Sequence, residues 1–73
     1  MVYEITTQTH TKNCWGCYKE KGYRKNMNAC VTAANNRIDQ ILKDYIGIYL
    51  FTVRIKDTFG HVLNKWEYRP TIR

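Results

Sequence analysis

Between Ile46 and Arg69, apolar and polar residues alternate on either side of a turn, and this pattern predicts a β-hairpin with two chemically different faces. Tyr49, Phe51, Val53 and Ile55 alternate with Leu50, Thr52, Arg54 and Lys56, and successive strand side chains point to opposite sides. Asp57-Thr58-Phe59-Gly60 supplies the turn, with Gly60 free to take the positive φ that tight hairpin turns require. With those residues as the loop, Ile55 is expected opposite Val62, Val53 opposite Asn64, and Phe51 opposite Trp66. The other face then gathers Arg54, Lys56, His61, Lys65 and Arg69.

Upstream, Val2-Tyr3-Glu4-Ile5-Thr6-Thr7 alternates and is rich in β-branched and aromatic residues, predicting a strand over residues 2–9. A second strand is expected over Cys14–Glu20, with Gly16 weakening it. Lys19 to Lys25 reads as a basic loop containing Gly22. Cys30, Ala34, Ile38, Ile41, Leu42 and Tyr45 then recur at three- and four-residue spacings, the apolar stripe of a helix from Asn28 to Tyr45. Asn26 or Asn28 can cap it, because a short side-chain oxygen accepts an orphan backbone N–H. Gly47 ends it, and Arg37, Asp39, Gln40, Lys43 and Asp44 fall on the wet side. The order is β-β-α-β-β, an α+β fold in which a four-stranded antiparallel sheet carries one helix on one face. Because the helix crosses from the second strand to the third, the first strand is expected between them, as in a split β-α-β unit. Phe51, Trp66 and Trp15 are assigned to the core, and Phe59, Tyr18 and Tyr23 to the surface. Nothing repeats and the single Pro70 follows the last strand, so residues 1–73 read as one domain.

Composition sharpens this picture. Seventy-three residues lie near the lower limit for a core without staples, and 14% aromatics supply large buried areas in so short a chain. Twelve Lys and Arg against six Asp and Glu leave a formal charge of +6, which steers a protein toward polyanions or acidic surfaces. Three cysteines are an odd count, arguing against a closed disulfide framework and for a reducing compartment. The first residues include Glu4, His10, Lys12 and Lys19 with no apolar h-region, so no secretory signal is expected and a cytoplasmic location is. The longest apolar stretch, Ile46 to Val53, is far shorter than the roughly 20 residues of a membrane span.

Candidate chemistry is sparse. His10-x3-Cys14-x2-Cys17, with Cys30 further on, offers soft ligands for zinc, yet no second close-spaced ligand pair accompanies it. On a regular strand Cys14 and Cys17 also point to opposite faces, and Cys30 belongs to the helix stripe. The cysteines therefore read as structural, with no metal and no cofactor expected. Cys14-Trp15-Gly16-Cys17 lacks the helix N-terminus that would lower a redox thiol's pKa. Carboxylates are scattered singly, His10 and His61 have no evident nucleophile, and glycine-rich phosphate loops are absent. So short a chain is also expected to lack a substrate pocket of the usual volume, and it reads as a non-enzyme. What remains is basic: Lys19, Lys21, Arg24 and Lys25 ahead of the helix, and Arg54, Lys56, Lys65 and Arg69 on the helix-free sheet face. Glu67 is the one acid expected beside the second cluster.

The layout resembles small phage-encoded β-β-α-β-β proteins, including some anti-CRISPR proteins. The resemblance rests on Tyr3-Glu4-Ile5, the helix from Ala29 to Ile41, Val53-Arg54-Ile55-Lys56-Asp57 and Gly60-His61-Val62; residues 13–25 fall outside it. It implies a compact inhibitor that docks on a host nucleic-acid-handling complex through charged side chains, where guide RNA or target DNA would otherwise lie. Two alternatives stand beside it: a module that binds DNA or RNA directly with little sequence preference, and a zinc-stabilised interaction domain.

Overall fold

A computed structural model describes residues 1–11, 14–45 and 47–70, apart from the side chains of residues 10, 11, 14 and 15. It contains β1 (Val2–Thr11), β2 (Cys14–Tyr23), α1 (Met27–Asp44), β3 (Ile48–Lys56) and β4 (Val62–Tyr68). One antiparallel sheet has the order β2-β1-β3-β4, so β1 lies between the strands that α1 connects, as the crossover argument expects. The fold is α+β with the expected element order.

The helix starts where Asn26 caps it. Asn26 Oδ1 accepts from the Ala29 N–H at 2.9 Å, and the Asn26 carbonyl accepts from the Cys30 N–H at 3.1 Å. Cys30, Ala34, Ile38 and Ile41 are its buried face. Tyr45 leaves the expected stripe because it is the C-cap with extended backbone, and its side chain is exposed. Gly47 follows at φ 84°, a conformation glycine adopts without steric cost.

The helix packs over β1 and β3. Tyr3 and Ile5 from β1, with Ile48, Phe51, Val53 and Ile55 from β3, close the core beneath it. Each fully buried side chain of this size contributes about 1.5–3 kcal/mol over exposure. Arg37, expected in solvent, instead bridges the helix to β2: its Nε donates to Glu20 Oε1 at 2.8 Å, which holds the guanidinium's pKa above its ordinary value.

The hairpin register differs from expectation by two residues. Phe51 pairs with Tyr68, Val53 with Trp66 and Ile55 with Asn64. The turn is longer than assumed. The Asp57 N–H donates to the His61 carbonyl at 3.0 Å, the Gly60 N–H donates to Asp57 O at 3.2 Å, and Gly60 sits at φ 85°. Asp57 Oδ1 also accepts from the Phe59 and His61 N–H groups, which pulls its pKa below the ordinary aspartate value. A bulge between Ile55 and Lys56 then takes up a further residue. Because the net shift is two beyond the bulge, Asn64 to Tyr68 keep their expected faces, whereas Val62, expected opposite Ile55, stands opposite Lys56 instead. A second bulge, at Gln8/Thr9, reverses the start of β3: Ile48 is buried, whereas Tyr49 reaches Gln8 Oε1 at 2.9 Å. Ile46, the assumed start of the hairpin, lies outside the described residues.

Candidate nucleic-acid interface

The helix-free face is built by strand parity. Tyr3, Ile5 and Thr7 of β1 are buried against the helix side, so Glu4, Thr6 and Gln8 point outward. Pairing then sets Lys21, Glu4, Arg54 and Lys65 in one row across all four strands, with Lys19, Thr6, Thr52 and Glu67 in the next. Lys56 projects from the same face. At about 4.8 Å between strands, a row across the sheet spans roughly 14 Å.

The supposed loop at residues 19–25 is mostly strand, since β2 continues to Tyr23. Alternation along that strand places Lys19 and Lys21 beside Arg54, Lys56 and Lys65, merging two expected clusters into one surface. Arg24 and Lys25 follow β2. The Arg24 guanidinium lies 5.6 Å from the centroid of the Tyr3 ring and donates to the Tyr23 carbonyl at 2.6 Å, which draws it toward the helix-covered side. Lys25 is exposed in the turn before the helix. Arg69 lies beyond β4 and pairs with Glu67 at 3.5 Å. His61, expected on the basic face, sits in the turn, 3.3 Å from Asp57.

Glu4, not only Glu67, is an acid of this face, and the expectation had missed it. Its Oε1 accepts from Lys56 Nζ at 3.1 Å and lies 3.8 Å from Lys21 Nζ. The Lys56 hydrogen bond comes first among the causes that hold its carboxyl below the ordinary glutamate value. The parity of Tyr3-Ile5-Thr7 carries the signal that would have found it. Arg54 and Lys65 stand directly opposite one another, and neither forms an ion pair among the described residues.

The opposite side holds an open cleft of about 420 Å³ lined by Thr7, Thr9, Tyr18, Arg37, Ile41, Tyr45 and Ile48. Its volume lies within the usual small-molecule range of about 300–1,000 Å³, contrary to the expectation from chain length. These lining residues include no carboxylate, histidine or cysteine, and the buried Thr7 hydroxyl has no partner among the described residues.

Cys17 is exposed on the helix-free face and Cys30 is buried under the helix, both as free thiols. The side chains of His10, Cys14 and Trp15 lie outside the described residues. Among the described residues no group of side chains could hold a metal ion, and no helix is long and apolar enough to cross a membrane. Compared with protein-family models, curated proteins and solved structures, the chain matches none.

Proposed function

We propose that this protein acts by binding rather than by chemistry, docking its helix-free sheet face on a host complex that handles nucleic acid. Occupying the path of the phosphate backbone, it would inhibit by occlusion, in the manner of small phage-encoded inhibitors. One observation carries the proposal: Arg54 opposes Lys65 across the β3–β4 pair. Like charges directly opposite on a sheet destabilise it, by about 0.2–1 kcal/mol relative to neutral pairs. Arg54 also faces Glu4 across the β1–β3 pair, but Lys65 at the edge faces only Arg54, and a threonine there would remove that cost, so fold stability alone does not account for Lys65. Recognition of an anionic surface does.

The test is affinity capture from a bacterial lysate, with and without nuclease, comparing the parent with Arg54→Thr and with Lys43→Thr on the helix. Arg54→Thr should leave the protein folded, since it removes both the repulsion from Lys65 and the attraction to Glu4, while weakening capture at least tenfold, and Lys43→Thr should leave capture unchanged. Equal loss from both variants would mean that net charge alone matters, and no loss from Arg54→Thr would sink the proposal.

Tyr23 favours the second reading, direct binding of single-stranded nucleic acid. It follows Lys21 on the same face and is 71% exposed, which suits a ring on which bases stack. A direct binder shifts a bare oligonucleotide, with affinity falling steeply as salt rises, whereas an occlusion inhibitor requires its protein target.

A further inference from the structure

We propose that two copies of this chain associate through β4, pairing antiparallel about a twofold axis at Trp66 so that the two sheets become one. Both β2 and β4 are sheet edges, and an edge strand presents N–H and C=O groups as a template for another chain; on β4 the Lys65 N–H donates to the adjacent Asn64 Oδ1 at 2.9 Å, a local bond that a second strand would replace. The two edges are defended differently.

On β2, the helix-free face presents Cys17, Lys19, Lys21 and Tyr23 with no acid. The neighbouring Glu20 lies on the other face, tied to Arg37. Antiparallel self-pairing of β2 in any same-face register therefore leaves its lysines without an opposite charge.

The β4 edge is self-complementary. Lys65 and Glu67 lie on one face, flanking Trp66 on the other. With Trp66 opposite its own copy, Lys65 faces the second chain's Glu67 and Glu67 faces the second chain's Lys65. Centring the pair on Lys65 or on Glu67 instead would oppose like charges, so among the registers centred on these three residues charge favours Trp66. The intrachain Glu67–Arg69 pair is solvent-exposed at 3.5 Å, a weak contact that a cross-strand partner can replace. The second chain's Glu67 also gives Lys65 the acid that Arg54 denies it within one chain.

Apolar exposure marks the same edge. Val62, Leu63 and Tyr68 are 50%, 45% and 46% exposed, and Trp66 is only half-buried. The helix lies over β1 and β3, so the helix-side flank of β4 is open for Trp66 to meet its own copy, with Tyr68 opposite the second chain's Asn64. The joined sheets would also unite two basic faces into one longer surface.

Self-association is read from pure protein without nucleic acid, which keeps it separate from the partner question. Sedimentation equilibrium over a concentration series should show a monomer–dimer equilibrium for the parent. Lys65→Glu alone and Glu67→Lys alone should each weaken it at least about tenfold, because two symmetry-related attractions become repulsions. The double exchange should restore dimerisation, since the charges pair again in the same register. Circular dichroism checks that each variant is folded. A parent that stays monomeric to about millimolar concentration, single variants that dimerise like the parent, or a double variant no better than the singles would overturn the proposal.

Discussion

Gly22→Ala tests the sheet where one ring and one missing side chain meet. Tyr3 stands opposite Gly22, and a Cβ built there would overlap the ring's Cζ, Cε1 and hydroxyl oxygen. Gly22 has no positive φ, so the backbone itself accepts alanine. In isolation the change should gain about 0.4–1 kcal/mol by restricting the unfolded chain. Against that, displacing a core ring costs about 1–3 kcal/mol. Moving it from beneath the Arg24 guanidinium forfeits about 0.5–1 kcal/mol more. The net is a loss of about 1–3 kcal/mol, and at roughly 4–8 °C per kcal/mol for a domain of this size the melting temperature should fall visibly by circular dichroism. In a Tyr3→Val background the overlap is gone, and Gly22→Ala should become neutral or stabilising. An unchanged melting temperature in the single variant, or an equal loss in both backgrounds, would refute the reasoning.

Two further outcomes follow from the core and from Glu4. Phe51→Ala should cost about 3–5 kcal/mol and Ile48→Ala about 2–5 kcal/mol by chemical denaturation, with Leu50→Ala well below either. A larger loss at Leu50 would mean that the bulge at Gln8/Thr9 is misplaced. Since Glu4 is held below its ordinary pKa, the unfolded chain binds the proton more readily and stability falls as pH drops below about 4.3. Glu4→Gln should flatten that acid limb, leaving the share of Asp57, and urea midpoints at about pH 3 and pH 6 would measure it.

Strand parity made much of this molecule legible. Alternation in Val2–Thr7 and Tyr49–Lys56, and the Cys30–Ile41 stripe, mark elements whose faces are set by burial, and the structure keeps those elements. Local geometry defeated the finer detail. A hairpin register depends on loop length, and the carboxylate of Asp57 closes a longer turn through N–H groups that alternation does not encode. The bulge that buries Ile48 in place of Tyr49 likewise leaves no periodic trace. Lys19 and Lys21 read as a loop because Lys and Gly have low strand propensity, yet pairing with β1 carries the strand past them. The row of Lys21, Glu4, Arg54 and Lys65 needed strand order and register together, so no single segment could show it.

The central place of β1 has a consequence for the order in which the chain can fold. Its partners are β2, which is near in sequence, and β3, where Val2 meets Lys56 across nearly the whole chain. Two hairpins can each form locally, in about 1–10 μs for elements of this kind. Joining them requires β1 and β3 to find each other against a long loop's closure entropy. On this topology that docking step is expected to set the folding rate, and until it occurs Tyr3 and Ile5 lack their neighbours on β3. A nascent chain shows this unfinished edge throughout synthesis of the helix and covers it only when β3 emerges.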